Sequence, residues 1–116
     1  MIISFLKLIP RPDKREPMLE IFRAVIRLIQ GRPGCMGCAI HEEDNNQRSV
    51  IYMEQWESRE ALQQHIQSII YPMILNAMEL AGEAPKISFY EVSKTMGWEL
   101  IEALRSNEKP NRGLSL

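Results

Sequence analysis

The chain has 116 residues, with 14 Lys and Arg against 15 Asp and Glu, a net charge of −1 and 45% hydrophobic residues. That length makes a single domain burying roughly 65% of the surface its unfolded chain would expose. The near-neutral balance, without basic residues clustered around aromatics, argues against nucleic acid or an anionic membrane as partner. No apolar run approaches the roughly 20 residues of a membrane span, and residues 1–9 are too short and wrongly flanked for a signal peptide, so the cytoplasm is the expected compartment.

In chain order, residues 2–9 read as a strand, apolar on both faces except at Ser4 and Lys7, which suits a central position in a sheet. The turn Pro10-Arg11-Pro12 follows. Asp13 with Glu16 resembles a capping box, and Met18, Phe22, Val25, Ile26 and Ile29 recur at helical spacing until Gln30-Gly31. Pro17 falls in the first turn, where its missing N–H does least harm.

Residues 35–43 read as the second strand, and Asp44-Asn45-Asn46 as a hairpin loop. The cysteines at its start, Cys35-Met36-Gly37-Cys38, invite a redox or metal reading. They follow Arg32-Pro33-Gly34 rather than open a helix, and strand positions three apart point to opposite faces. A zinc site also needs two further ligands, and only His41 is near. Structural thiols are therefore expected, with no metal.

Residues 49–56 form the third strand, which places Val50, Tyr52, Glu54 and Trp56 on one face and Ile51, Met53 and Gln55 on the other. Glu54 lies between two aromatics on the face that a following helix would cover, and a covered carboxylate must find a donor or stay protonated. Ser58 caps that helix, Glu60 supplies first-turn negative charge, and Leu62, Ile66 and Ile69, with His65 beside them, make its apolar stripe. Pro72 implies a break near Tyr71 and a second short helix ending at Ala81-Gly82. Residues 86–92 are the fourth strand. A terminal helix over 95–105, with Trp98, Leu100, Ile101 and Leu104, lies in an extension reaching residue 106, and the polar tail at 107–116 is expected to be disordered.

Strand, helix, strand, strand, helix, strand is the α+β, ferredoxin-like βαββαβ order: a four-stranded antiparallel sheet with helices on one face. The bare face carries Ile51 and Met53, joined by Ile87 and Phe89 or their alternates, so a homodimer closing two sheets into an α/β barrel is expected.

The run Pro33-Gly34-Cys35-Met36-Gly37-Cys38, followed by Glu54-Gln55-Trp56-Glu57-Ser58-Arg59-Glu60-Ala61-Leu62 and His65, resembles the antibiotic biosynthesis monooxygenase (ABM) domain family. The resemblance covers residues 2–92, which sets a domain at 1–94. It implies a dimeric ferredoxin-like fold with a pocket between sheet and helices, and, in some members, oxidation of quinols by O₂ without metal or flavin. Other members isomerise small metabolites or degrade haem. Haem chemistry is disfavoured because the corresponding positions hold Leu6 or Lys7, His65 and Ile74, and Ile74 cannot ligate iron. On this reading His65 takes a proton, Glu54 fixes the imidazole tautomer or holds a substrate hydroxyl, and Trp56 and Tyr52 stack on a small apolar phenolic or quinol metabolite. The alternative is a non-catalytic dimer that binds a ligand or plays a structural part, with Trp56 in the core, His65 tying helix to sheet and Glu54 as an acceptor; an isomerase of the same fold is also compatible.

Overall fold

The computed structural model describes residues 1–106, so the tail expected at 107–116 lies outside the described residues. Its elements are β1 (Ile2–Leu8), α1 (Arg15–Ile29), β2 (Cys35–Glu42), β3 (Val50–Trp56), α2 (Arg59–Ile66), α3 (Tyr71–Met78), β4 (Lys86–Glu91) and α4 (Trp98–Ser106). The strands pair antiparallel in the order β2-β3-β1-β4. This is the ferredoxin-like arrangement, with an open sheet that does not close on itself. β1 lies inside it, which accounts for its apolar residues on both faces.

Two-residue periodicity sets the sheet's buried side. Ile2, Ser4, Leu6 and Leu8 of β1 stand opposite Trp56, Glu54, Tyr52 and Val50 of β3, and all eight are buried. Above them α1 buries Met18, Leu19, Phe22, Val25 and Ile29, the ring of Phe22 stacking on Tyr52 with centroids 4.5 Å apart. Burial of each such side chain stabilises the fold by about 1.5–3 kcal/mol.

The capping box expected from Asp13 does not form. Helix α1 begins at Arg15, with Lys14 at the N-cap and no side-chain cap, because a turn closed by Lys14 N–H on the Arg11 carbonyl (2.8 Å) precedes it. Its end is as expected, with Gly31 at φ +85°. In α2, Leu62 and His65 are buried, but Ile66 is 40% and Ile69 92% exposed. The helix stops at Ile66 and the following turn rotates Ile69 outward, while Ile70, Ile74 and Ala77 of the next segment supply the buried side chains instead. The break comes where Pro72 places it, in the first turn of α3.

On the bare face lie Ile3 and Phe5 of β1 and Ile51 and Met53 of β3. Ile87 and Phe89 do not join them. They pair with Leu6 and Ser4, so they belong to the helix side, and Ser88 and Tyr90 are β4's contribution to the bare face. Every residue of β4 is exposed. Helix α4 begins at Trp98, later than the expected residue 95, and leaves Trp98, Ile101 and Leu104 exposed.

The cysteines also depart from expectation. A β-bulge between Cys35 and Gly37 adds one residue to β2, so Cys35 pairs with Trp56 and Cys38 with Glu54. Trp56 and Glu54 share the helix side, and therefore so do the two cysteines, which pack against the core as free thiols. An unbroken alternation would have put them on opposite faces.

Candidate active site

The β3 alternation and the phase of α2 bring four side chains together. Ser58, at φ −150°, accepts a hydrogen bond from Ala61 N–H through its hydroxyl (3.1 Å), fixing where α2 starts. Seven residues on, this phase turns His65 down onto the sheet. Pro33-Gly34 supports the same corner. Gly34 has φ +84°, its carbonyl accepts from Glu57 N–H at 2.8 Å, and a Cβ there would stand 2.5 Å from the Ala61 Cβ. Only glycine lets the start of β2 approach α2 this closely.

Glu54 is the hub. Its Oε2 accepts from the Tyr52 hydroxyl at 2.6 Å and lies 2.9 Å from His65 Nε2, while its Oε1 accepts from the Trp56 indole N–H at 3.0 Å. Glu54 is 1% and His65 3% exposed. A buried carboxylate is tolerable here because several donors converge on it. A carboxylate only accepts, so Nε2 carries a proton toward Glu54, and in the neutral imidazole Nδ1 then presents a lone pair. That Nδ1 is buried and has no hydrogen-bond partner. Leaving such an atom unpaired costs about 1–3 kcal/mol, so its persistence calls for a reason.

Aromatic rings enclose the imidazole. Trp56 stacks on it with centroids 4.6 Å apart and Tyr71 meets it edge-on at 5.3 Å. Burial first, then the Glu54 charge, raises both Tyr52 and Tyr71, with the hydrogen bond to Glu54 adding to the effect on Tyr52. Both phenols are thereby held in the protonated form.

All four residues singled out from the sequence, Tyr52, Glu54, Trp56 and His65, fall in one cluster. The resemblance implied a pocket between sheet and helices; the rings of Trp56 and His65 are in contact there, and the open space lies beside them. A cavity of about 340 Å³ is lined by Trp56, His65, Ala61, Gln64, Pro33 and Arg32. A larger one, about 510 Å³, lies across α2 between Leu62, Ile66 and Phe89 and reaches neither Glu54 nor His65. Arg32, Gln64 and Tyr71 were not foreseen as neighbours of the site. The chain's return past Gly34 brings Arg32 there and the short α2–α3 turn brings Tyr71, while Gln64 comes with α2 itself, beside His65.

Among the described residues no group of three or more His, Cys, Asp or Glu side chains is placed to hold a metal ion, and no helix is long and apolar enough to cross a membrane.

Known proteins share this architecture. The Rv0793 protein of Mycobacterium tuberculosis superposes with a TM-score of 0.74 at 21% identity, covering 83% of this chain and 98% of its own. A conserved protein from Methanosarcina mazei gives 0.71 at 21% identity over 78% and 90% of the two chains. A Deinococcus radiodurans protein named for antibiotic biosynthesis monooxygenases gives 0.74 at 17% identity over 84% and 97%. An uncharacterised Synechocystis protein, sll1783, is 24% identical over 86 residues, 73% of this chain, which spans only 58% of that relative's length. The family model described as antibiotic biosynthesis monooxygenase matches residues 1–79. The chain belongs to the antibiotic biosynthesis monooxygenase family.

Proposed function

We propose that the protein is a cofactor-independent monooxygenase that oxidises a small apolar phenol or quinol with O₂, using His65 as the base. The observation that carries this reading is the unpartnered, buried Nδ1 of His65, a residue lining a cavity it shares with Trp56. For a phenol entering the cavity, a small shift of its wall brings the hydroxyl to the buried Nδ1, where it loses its proton, while Glu54, bonded to Nε2, holds the tautomer and stabilises the imidazolium. The phenolate is rich enough in electrons to pass one to O₂. Recombination at the ring carbon para to the oxygen gives a hydroperoxide, and loss of water leaves the quinone. Phenol plus O₂ thus becomes quinone plus water, with the substrate supplying every electron. Trp56 and Tyr52 supply the aromatic surroundings, Trp56 at the cavity wall and Tyr52 behind it through Glu54. Arg32, at the same cavity, is a cation for the developing phenolate.

The protein is read here as a homodimer closed over Ile3, Phe5, Ile51 and Met53, in the cytoplasm. A second reading, a non-catalytic ligand-binding or structural dimer, draws on the direct stacking of Trp56 on His65, which leaves no room for a ring between them.

Oxygen consumption with a panel of small phenols, naphthols and quinols, recorded beside ligand-induced melting shifts, separates the two. The oxygenase reading expects turnover that falls at least about 10²-fold in a folded His65→Ala variant. Melting shifts without oxygen uptake, or uptake unchanged by His65→Ala, would overturn it.

A further inference from the structure

We propose that Cys35 and Cys38 are a redox-active dithiol that closes to an intrastrand disulfide by exchange with a disulfide such as oxidised glutathione. The bulge in β2 is what makes this feasible. By pairing Cys35 with Trp56 and Cys38 with Glu54, it brings two residues three apart in sequence onto one side of the sheet at the spacing of a two-residue step. That step is about 6.6 Å along a strand, against the roughly 4.4–6.8 Å between Cα atoms joined by a disulfide. Cys35 is close enough to Cys38 to help hold the Cys38 proton. Both side chains are partly exposed, and both are free.

Their surroundings assign the order of events. Burial, then the neighbouring Cys35 and Glu54, push the Cys38 thiol up to about 11, which keeps it protonated and makes it the slower nucleophile. Cys35 therefore attacks first. Its thiolate takes one sulfur of the glutathione disulfide and releases one glutathione thiolate. Cys38 then loses its proton to solvent and attacks the Cys35 sulfur, expelling the second glutathione. Two protein thiols are oxidised by two electrons and one glutathione disulfide is reduced to two thiols. Because a two-residue step of about 6.6 Å lies at the long end of the permitted range, the bulge tightens on closure, and the bond is more readily reduced than a relaxed structural disulfide. Trp56 and Glu54 are the cross-strand partners of the two cysteines, so closure is felt at the cluster around His65.

The experiment equilibrates the full chain in glutathione buffers of increasing oxidised fraction, alkylates free thiols and reads intact and peptide masses. The expected result is a single transition in which both thiols disappear together and the mass falls by two hydrogens, with no glutathione retained. In a Trp98→Phe background the same transition should change Trp56 emission. Cys38→Ser should hold one glutathione on Cys35. Both thiols remaining alkylatable in oxidising buffer, a wild-type chain that accumulates glutathione adducts, or disulfide-linked dimers would overturn the proposal. The wild-type measurement stands whether or not the serine variant folds.

Discussion

The imidazole of His65 lies on the indole of Trp56, 26° from parallel, and the N–H groups of both rings end on one carboxylate, Glu54. Stack and hydrogen bonds together leave the imidazole a single orientation. Glu54→Gln tests this, because an amide offers one acceptor oxygen and turns its own NH₂ toward a group that already donates. A loss of about 2–4 kcal/mol in unfolding free energy is expected from urea titration. A midpoint within error of the wild type would show that the carboxylate is not the hub.

Gly34 makes a second test, of the corner that positions α2. Alanine there combines a backbone angle unfavourable for any side chain with a Cβ 2.5 Å from that of Ala61. Gly34→Ala should cost about 2–3 kcal/mol. Gly31 has a similar φ but open space around it, so Gly31→Ala should cost only about 1 kcal/mol. Equal effects of the two substitutions would contradict the close packing.

Stability should fall on the alkaline side, and the sign follows from the two raised groups. Cys38 moves from an ordinary value of 9.0 up to about 11, and Tyr52 rises from 10.0 to far above it. In both cases the unfolded chain gives up its proton first, so the stabilisation is complete below pH 9 and is lost as pH rises through the folded-state value. Two units for Cys38 correspond to about 2.7 kcal/mol at full burial. The thiol is only partly shielded, so the expected loss between pH 9 and 11 is nearer ~1 kcal/mol. Unfolding free energies measured across that range should show the decline in the wild type and a flatter start in Cys38→Ala. A wild-type curve that rises with pH would contradict it.

The bare sheet face predicts an oligomer. Met53→Lys places a charge among Phe5, Ala39 and their neighbours without touching the helix side. Light scattering coupled to size exclusion should find a dimer for the wild type and a shift toward monomer for the variant. A wild-type monomer at micromolar concentration would remove the reading.

How much of this was legible follows from where local rules decide the outcome. The β3 face was readable because an uninterrupted two-residue period fixes it, and His65 was readable because Ser58 fixes the phase of a short helix. Cys35 and Cys38 were misplaced because a bulge shifts the period by one, and nothing in Cys-Met-Gly-Cys announces a bulge. Ile69 was misplaced because α2 ends a turn earlier than its apolar pattern does. Arg32 reaches the site through the packing of a distant segment, and Tyr71 through the short α2–α3 turn. An apolar α4 was foreseen, but its exposed Trp98, Ile101 and Leu104 were beyond pattern alone.

The central claim is that His65 keeps its proton on Nε2, against Glu54, and offers Nδ1 as a base. Nitrogen-15 NMR of histidine-labelled protein reads this directly, since protonated and lone-pair ring nitrogens resonate far apart. The account predicts that in the neutral imidazole Nε2 is the protonated nitrogen and Nδ1 the bare one, and that this preference is lost in Glu54→Gln. A neutral His65 carrying its proton on Nδ1 in the wild type would contradict it.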